Sequence, residues 1–127
     1  MANDIKPTGD GLYERQNIGI HNELIRKVFE AWDNLDPERI IPLLAPDLHY
    51  YSWWVISEMH TKEEYADYIR GKFKTIKERN FKPQISLVKG ENTGKEAILM
   101  RQEGCPTVLL KLEEKNGLIS EMWMQGV

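Results

Sequence analysis

The sequence predicts an α+β domain in which three helices precede, and pack on, an antiparallel sheet. Helical periodicity is confined to the first 80 or so residues, and strand patterns separated by glycine turns fill the rest. The length of 127 residues suits one domain, with 41% hydrophobic and 29% charged residues, as in ordinary globular chains. Residues 1–17 hold Pro7, Gly9 and Gly11 among few apolar side chains and read as an N-terminal arm; residues 18–127 form the domain.

From Asn22, Leu24, Ile25, Val28, Phe29, Trp32 and Leu35 recur at helical spacing, with Glu23, Arg26, Lys27 and Glu30 between them. Asp36 is a helix cap and Pro37 a first helical residue, so a short second helix runs through Ile40, Ile41, Leu43 and Leu44 until Pro46 ends it. Residues 48–55 are rich in aromatics and read as a strand, followed by a loop. Thr61 and Glu64 fit a capping box at the start of a third helix, which buries Tyr65, Tyr68, Ile69, Phe73 and Ile76 and extends to about Asn80. Four strands follow, at about 84–91, 96–102, 107–113 and 118–125, with turns at 92–95, 103–106 and 115–117. Each turn contains a glycine, which suits a tight reversal, so the four strands form a meander.

A three-residue turn at 115–117 and two-residue turns at Gly104-Cys105 and Thr93-Gly94 predict the strand faces. One face collects Ser86, Val88, Leu99, Arg101, Val108, Leu110, Leu112, Ser120, Met122 and Met124. The other collects Ile85, Leu87, Ile98, Met100, Leu109, Ile119 and Trp123, with Lys89, Lys111 and Glu121 among them. Both faces are apolar, and three helices cover only one. The outer sheet face is therefore expected to bury itself in a homodimer.

The net charge of −3 offers no basic surface for a phosphate backbone, so no nucleic-acid role is expected. No stretch approaches the roughly 20 apolar residues of a membrane span, residues 1–16 have no signal-peptide core, and the one cysteine, Cys105, cannot form an internal disulfide. A cytoplasmic protein without membrane contact is expected. His21, His49 and His60 form no close-spaced pair, so neither a metal site nor a cofactor is predicted.

Tyr50, Ser52 and Trp54 share one strand face, and Trp32 and Tyr68 can complete an aromatic wall bearing hydroxyls. Such a wall suits a flat, mostly apolar ligand held by a few hydrogen bonds. Leu99, Val108, Leu110, Met122 and Met124 add soft apolar surface, and Arg101 among them would need a carboxylate or an acidic ligand as partner. His60 lies in a loop at the expected rim.

The run Phe29-Glu30-Ala31-Trp32-Asp33-Asn34-Leu35-Asp36-Pro37-Glu38-Arg39-Ile40-Ile41-Pro42-Leu43-Leu44-Ala45-Pro46-Asp47-Leu48, with the element order above, resembles the opening of the nuclear transport factor 2-like superfamily, including its SnoaL-like and cystatin-like members. The resemblance covers about residues 20–127. It implies a cone, in which a curved sheet wraps the long helix and leaves an apolar cavity at the wide end. Members include ketosteroid isomerases, scytalone dehydratase, polyketide cyclases and non-catalytic binding modules, so the fold alone selects no activity. The isomerase tyrosine and base fall on Val28 and Ser52, and the late aspartate falls near Val108, which leaves that mechanism without its proton donors. The dehydratase Tyr-Asp pair falls on Trp32-Asp33, its strand tyrosine falls on Ser52, and its two histidines fall near Ile85 and near Leu99 or Arg101. Two readings follow. One is a non-catalytic binder of a small apolar or acidic ligand in the cone. The alternative is a cofactor-independent lyase or isomerase using Asp33 as its base.

Overall fold

The computed structural model describes residues 5–7, 12–15, 23–52, 55–90 and 95–127. Helix α1 spans Glu23–Asn34, with Arg26 bridging Glu23 and Glu30 along its outer side. It ends when Leu35 turns left-handed at φ 51° and the Asp36 N–H reaches back to the Ala31 carbonyl at 2.9 Å. The expected second helix resolves into two single 3-10 turns, Pro37–Arg39 and Ile41–Leu43. The physical reason is Pro42, whose missing N–H interrupts any continuous ladder. Asp36 caps the first turn as predicted, accepting from the Glu38 N–H at 3.2 Å.

Helix α2 spans Lys62–Arg79. The Thr61 cap forms, with the Glu64 N–H donating to Thr61 Oγ1 at 3.1 Å, and the Glu64 carboxylate reaches one residue beyond the cap to accept from the His60 N–H at 3.0 Å. Asn80 closes the helix in the left-handed conformation, and the Phe81 N–H donates to the Ile76 carbonyl.

The strands are β1 (Ile5–Pro7), β2 (Leu12–Arg15), β3 (Leu44–Ser52), β4 (Val55–Met59), β5 (Gln84–Gly90), β6 (Glu96–Arg101), β7 (Val108–Lys115) and β8 (Leu118–Gly126). They form one curved, open sheet in the order β1-β2-β5-β6-β7-β8-β3-β4. All pairs are antiparallel except β3 and β8, so the sheet is mixed. The segment read as an arm supplies β1 and β2, which extend the sheet beside β5. The segment read as a loop after the first strand supplies β4, which pairs back on β3 with Tyr50 opposite Met59. The turn expected at 92–95 lies largely outside the described residues.

The strand faces need two corrections. β7 and β8 join through a two-residue turn, Asn116 at φ 56° and Gly117 at φ 82°, the left-handed pair of a type I′ hairpin. A bulge follows, where Ser120 donates to the Glu113 carbonyl, so Ile119 and Met122 both reach the core. β6 and β7 are joined by a long loop rather than a tight turn. The ladder ends at Met100 opposite Val108, and the loop turns where the Cys105 N–H bonds the Gln102 carbonyl at 3.0 Å. This is a one-residue slip from the expected register, and a slip of one exchanges the faces of every residue beyond it. Ile98 and Met100 therefore join Val108, Leu110, Met122 and Met124 inside, with Ile85, Leu87 and Leu112 packed beside them. Leu99 moves outside, where it is buried with Val88, Ala97 and Leu109 in a second small cluster.

Two glycines have opposite roles. A Cβ on Gly117 or Gly71 would meet nothing within 4 Å, so any effect of substitution is conformational. Gly117→Ala forces a side chain into positive φ and should destabilise by about 1 kcal/mol, whereas Gly71→Ala in the middle of α2 should stabilise by about 0.8–1 kcal/mol. Urea denaturation of the two variants checks both signs.

Candidate functional site

Helical spacing on α1 and α2 and alternation on β3 send five rings into one interior. Trp32 meets Phe73 edge-on with centroids 4.8 Å apart. Tyr50 lies 4.8 Å from Tyr65 and 5.8 Å from Tyr68, and Tyr65 lies 5.9 Å from Tyr68. Trp32, Tyr50, Tyr65 and Phe73 are fully buried, and Tyr68 is half-buried. Among the described residues, three polar atoms in this group have no hydrogen-bond partner: Trp32 Nε1, Tyr50 Oη and Tyr68 Oη. Ser52 and Tyr68 lie beside the Tyr50 hydroxyl, close enough to bias its phenol. Burial pushes the Tyr50 and Tyr65 phenols far above the usual tyrosine range, and Tyr68 upward as well. All three are therefore neutral donors at physiological pH.

The structure brings together Val28, Trp32, Tyr50, Val108, Leu110, Met122 and Met124, all buried in the main core. Tyr68 packs against it, and Ser52, half-buried, shares the inward side of β3 with Tyr50. Leu99 and Arg101 stand apart from this set, because the β6–β7 register puts them on the outer face, and Arg101 is exposed. Asp33 is also remote from it. It is exposed at the end of α1, where Lys82 Nζ donates to its carboxylate at 3.0 Å and to its carbonyl at 2.6 Å. Trp54 lies outside the described residues. Tyr65 was legible as part of the buried stripe of α2, but its meeting with Tyr50 depends on the packing of α2 against β3.

Tyr68 also lines an open cleft of about 530 Å³ between α2 and the end of β6. Ile76 and Phe81 supply apolar walls, and Lys72, Arg79, Asp67 and Gln102 supply polar ones. Phe81 is among the few large apolar side chains left exposed. Desolvation lowers the Lys72 ammonium below its ordinary range, opposed by nearby Cys105. Tyr68 thus touches both the aromatic interior and the cleft that opens to solvent.

On the outer face, β3 is flanked by β4 and β8, and their registers gather a second polar group. His49 lies opposite Glu121 of β8, and the β3–β4 pairing brings Glu58 and His60 beside it. His49 Nε2 is 2.7 Å from Glu58, and Nδ1 is 3.1 Å from Glu121. These carboxylates hold the His49 imidazole above its usual range, and His49 in turn lowers Glu58. His60 stacks on His49 with centroids 5.2 Å apart and planes 16° apart. His60, expected at a cavity rim, faces this group. Next to it Tyr51 stacks on Trp123 with centroids 6.0 Å apart. No close histidine spacing announces this group, because β4, read from the sequence as a loop, brings the second histidine back.

No family model matches the sequence, and no curated protein matches it. Solved structures do match. A SnoaL-like protein of unknown function from Burkholderia thailandensis superposes with a TM-score of 0.64 at 15% identity, covering 86% of this chain and 99% of that one. An uncharacterised cystatin-fold protein from Novosphingobium aromaticivorans gives 0.59 at 14% identity, over 84% and 99% of the two chains. An LEH-like epoxide hydrolase from M. tuberculosis gives 0.52 at 18% identity, over 83% of each. At these identities the likeness is one of architecture. The chain has the SnoaL-like, NTF2-like fold.

Proposed function

We propose that the chain is a non-catalytic binder of a small, mostly apolar ligand, which enters by the cleft at Tyr68 and is held against the aromatic interior. The observation behind this reading is a set of buried donors without a hydrogen-bond partner among the described residues, Trp32 Nε1, Tyr50 Oη and Tyr68 Oη, of which Tyr68 also lines the cleft. Buried polar groups without partners are rare and destabilising, and a ligand acceptor reaching inward from the cleft would meet Tyr68 first. Apolar walls with a few convergent donors are the usual makeup of small-molecule sites. Lys72 and Arg79 beside the cleft suit an acidic group on the ligand. The surface ion pair of Asp33 with Lys82 favours binding over the lyase or isomerase reading, since a base must face its substrate.

Fluorescence titration with anilinonaphthalene sulfonate, an apolar anion, tests the site. Tyr68→Phe removes a donor without changing shape, and Phe81→Asp puts a charge on the apolar wall. Each should weaken binding about fivefold or more, about 1 kcal/mol. Unchanged affinity in both variants would refute the reading. The outer face, with its Tyr51–Trp123 stack, remains the proposed homodimer surface, and light scattering reporting a monomer mass would remove it. Among the described residues no helix is long and apolar enough to cross a membrane.

A further inference from the structure

We propose that His49, Glu58 and His60 form a binding site on the outer face for a divalent transition-metal ion of the zinc type. One donor atom from each of the three lies within 4.8 Å of the others. His49 Nε2 and His60 Nε2 lie 2.7 Å and 3.9 Å from the same Glu58 oxygen. Donors around a tetrahedral ion at about 2.0–2.1 Å stand roughly 3.3 Å apart, and the exposed His60 ring, now stacked on His49, must rotate out of the stack to aim Nε2 at the ion. Two imidazole nitrogens and one carboxylate are a donor set for zinc, copper or nickel, whereas magnesium and calcium take oxygen ligands. Three protein ligands leave a fourth position open to water or another molecule.

Glu121 supplies the supporting contact. Its carboxylate meets His49 Nδ1 at 3.1 Å, so a proton held on Nδ1 leaves the Nε2 lone pair facing Glu58 and His60. The backbone also fixes the arrangement. His49 is held from both sides, by the ladder to Glu121 of β8 and by the pairing of neighbouring Tyr50 with Met59 of β4. Thr61 caps α2 immediately after His60, and the His60 N–H is tied to Glu64 at 3.0 Å, which anchors the third ligand's backbone.

Isothermal titration calorimetry of the full chain with zinc chloride tests the site, with magnesium chloride as the comparison ion. The wild type should bind one zinc ion per chain and show no saturable heat with magnesium. His60→Ala alters an exposed side chain and should weaken zinc binding at least tenfold while circular dichroism stays unchanged. Glu121→Ala, which removes the orienting carboxylate, should weaken it about 10- to 100-fold. Cys105→Ser should leave it unchanged, since Cys105 lies outside the cluster. The proposal is overturned if the wild type shows no one-to-one binding, if His60→Ala binds as tightly as wild type, or if binding is lost with Cys105→Ser.

Discussion

Trp32→Ala will destabilise the protein by about 3–5 kcal/mol, the usual range for deleting a large buried aromatic. Trp32 is 1% exposed and packs edge-on against Phe73, so its removal opens a hole between α1 and α2. The main core contains side chains from both helices and from the sheet, which limits collapse around the gap. Native domains of this size are stable by only about 5–15 kcal/mol, so the loss is a large share of the total. A fall in urea midpoint with an unchanged slope is the expected signature. Trp32→Phe keeps most of the ring volume and removes the unpartnered Nε1 donor, so its loss should be far smaller. Equal losses for the two variants would show that ring volume is not what Trp32 contributes.

Above pH 10 the fold will lose stability steeply. Tyr50 and Tyr65 are fully buried, and desolvation raises both phenols in the native state. In the unfolded chain they ionise near pH 10. Below that pH both states hold the protons, and the stability is intact. Above it the unfolded chain releases protons that the native interior retains, so stability falls as pH rises. Each fully buried phenol contributes about 1.4 kcal/mol per pH unit, or about 2.7 kcal/mol for the two together. Tyr68, half-buried and also raised, adds a smaller amount. Urea midpoints measured from pH 8 upward should be level at first and then drop, with tyrosinate absorbance rising together with unfolding. Reversible ionisation of every tyrosine near pH 10 with the fold intact would show that this interior is wet.

The two long helices, their caps and the meander were legible because each depends on local chemistry. Thr61 and Glu64 are three residues apart, Gly117 marks the last reversal, though of two residues and not the three expected, and the stripe of α2 repeats at helical spacing. Trp32, Tyr50 and Tyr68 were legible as inward-facing for the same reason. The misplacement of Leu99 and Arg101 came from loop length, since a glycine marks a turn without stating how many residues it uses. The histidine group was hidden for a different reason. Its members come from β3 and β4, and its supporting carboxylate comes from β8, so only long-range strand pairing assembles it.

The parallel seam between β3 and β8 also has a temporal consequence. β3 and the strand that covers one of its sides are far apart in sequence, His49 lying 72 residues before its β8 neighbour Glu121. The edge of β3 that faces β8 has no partner until residues 118–126 are in place. Contacts so distant in sequence close slowly, because the intervening chain must first be ordered. The parallel seam is therefore expected to close late in folding, and with it the wall of the sheet beside Tyr50.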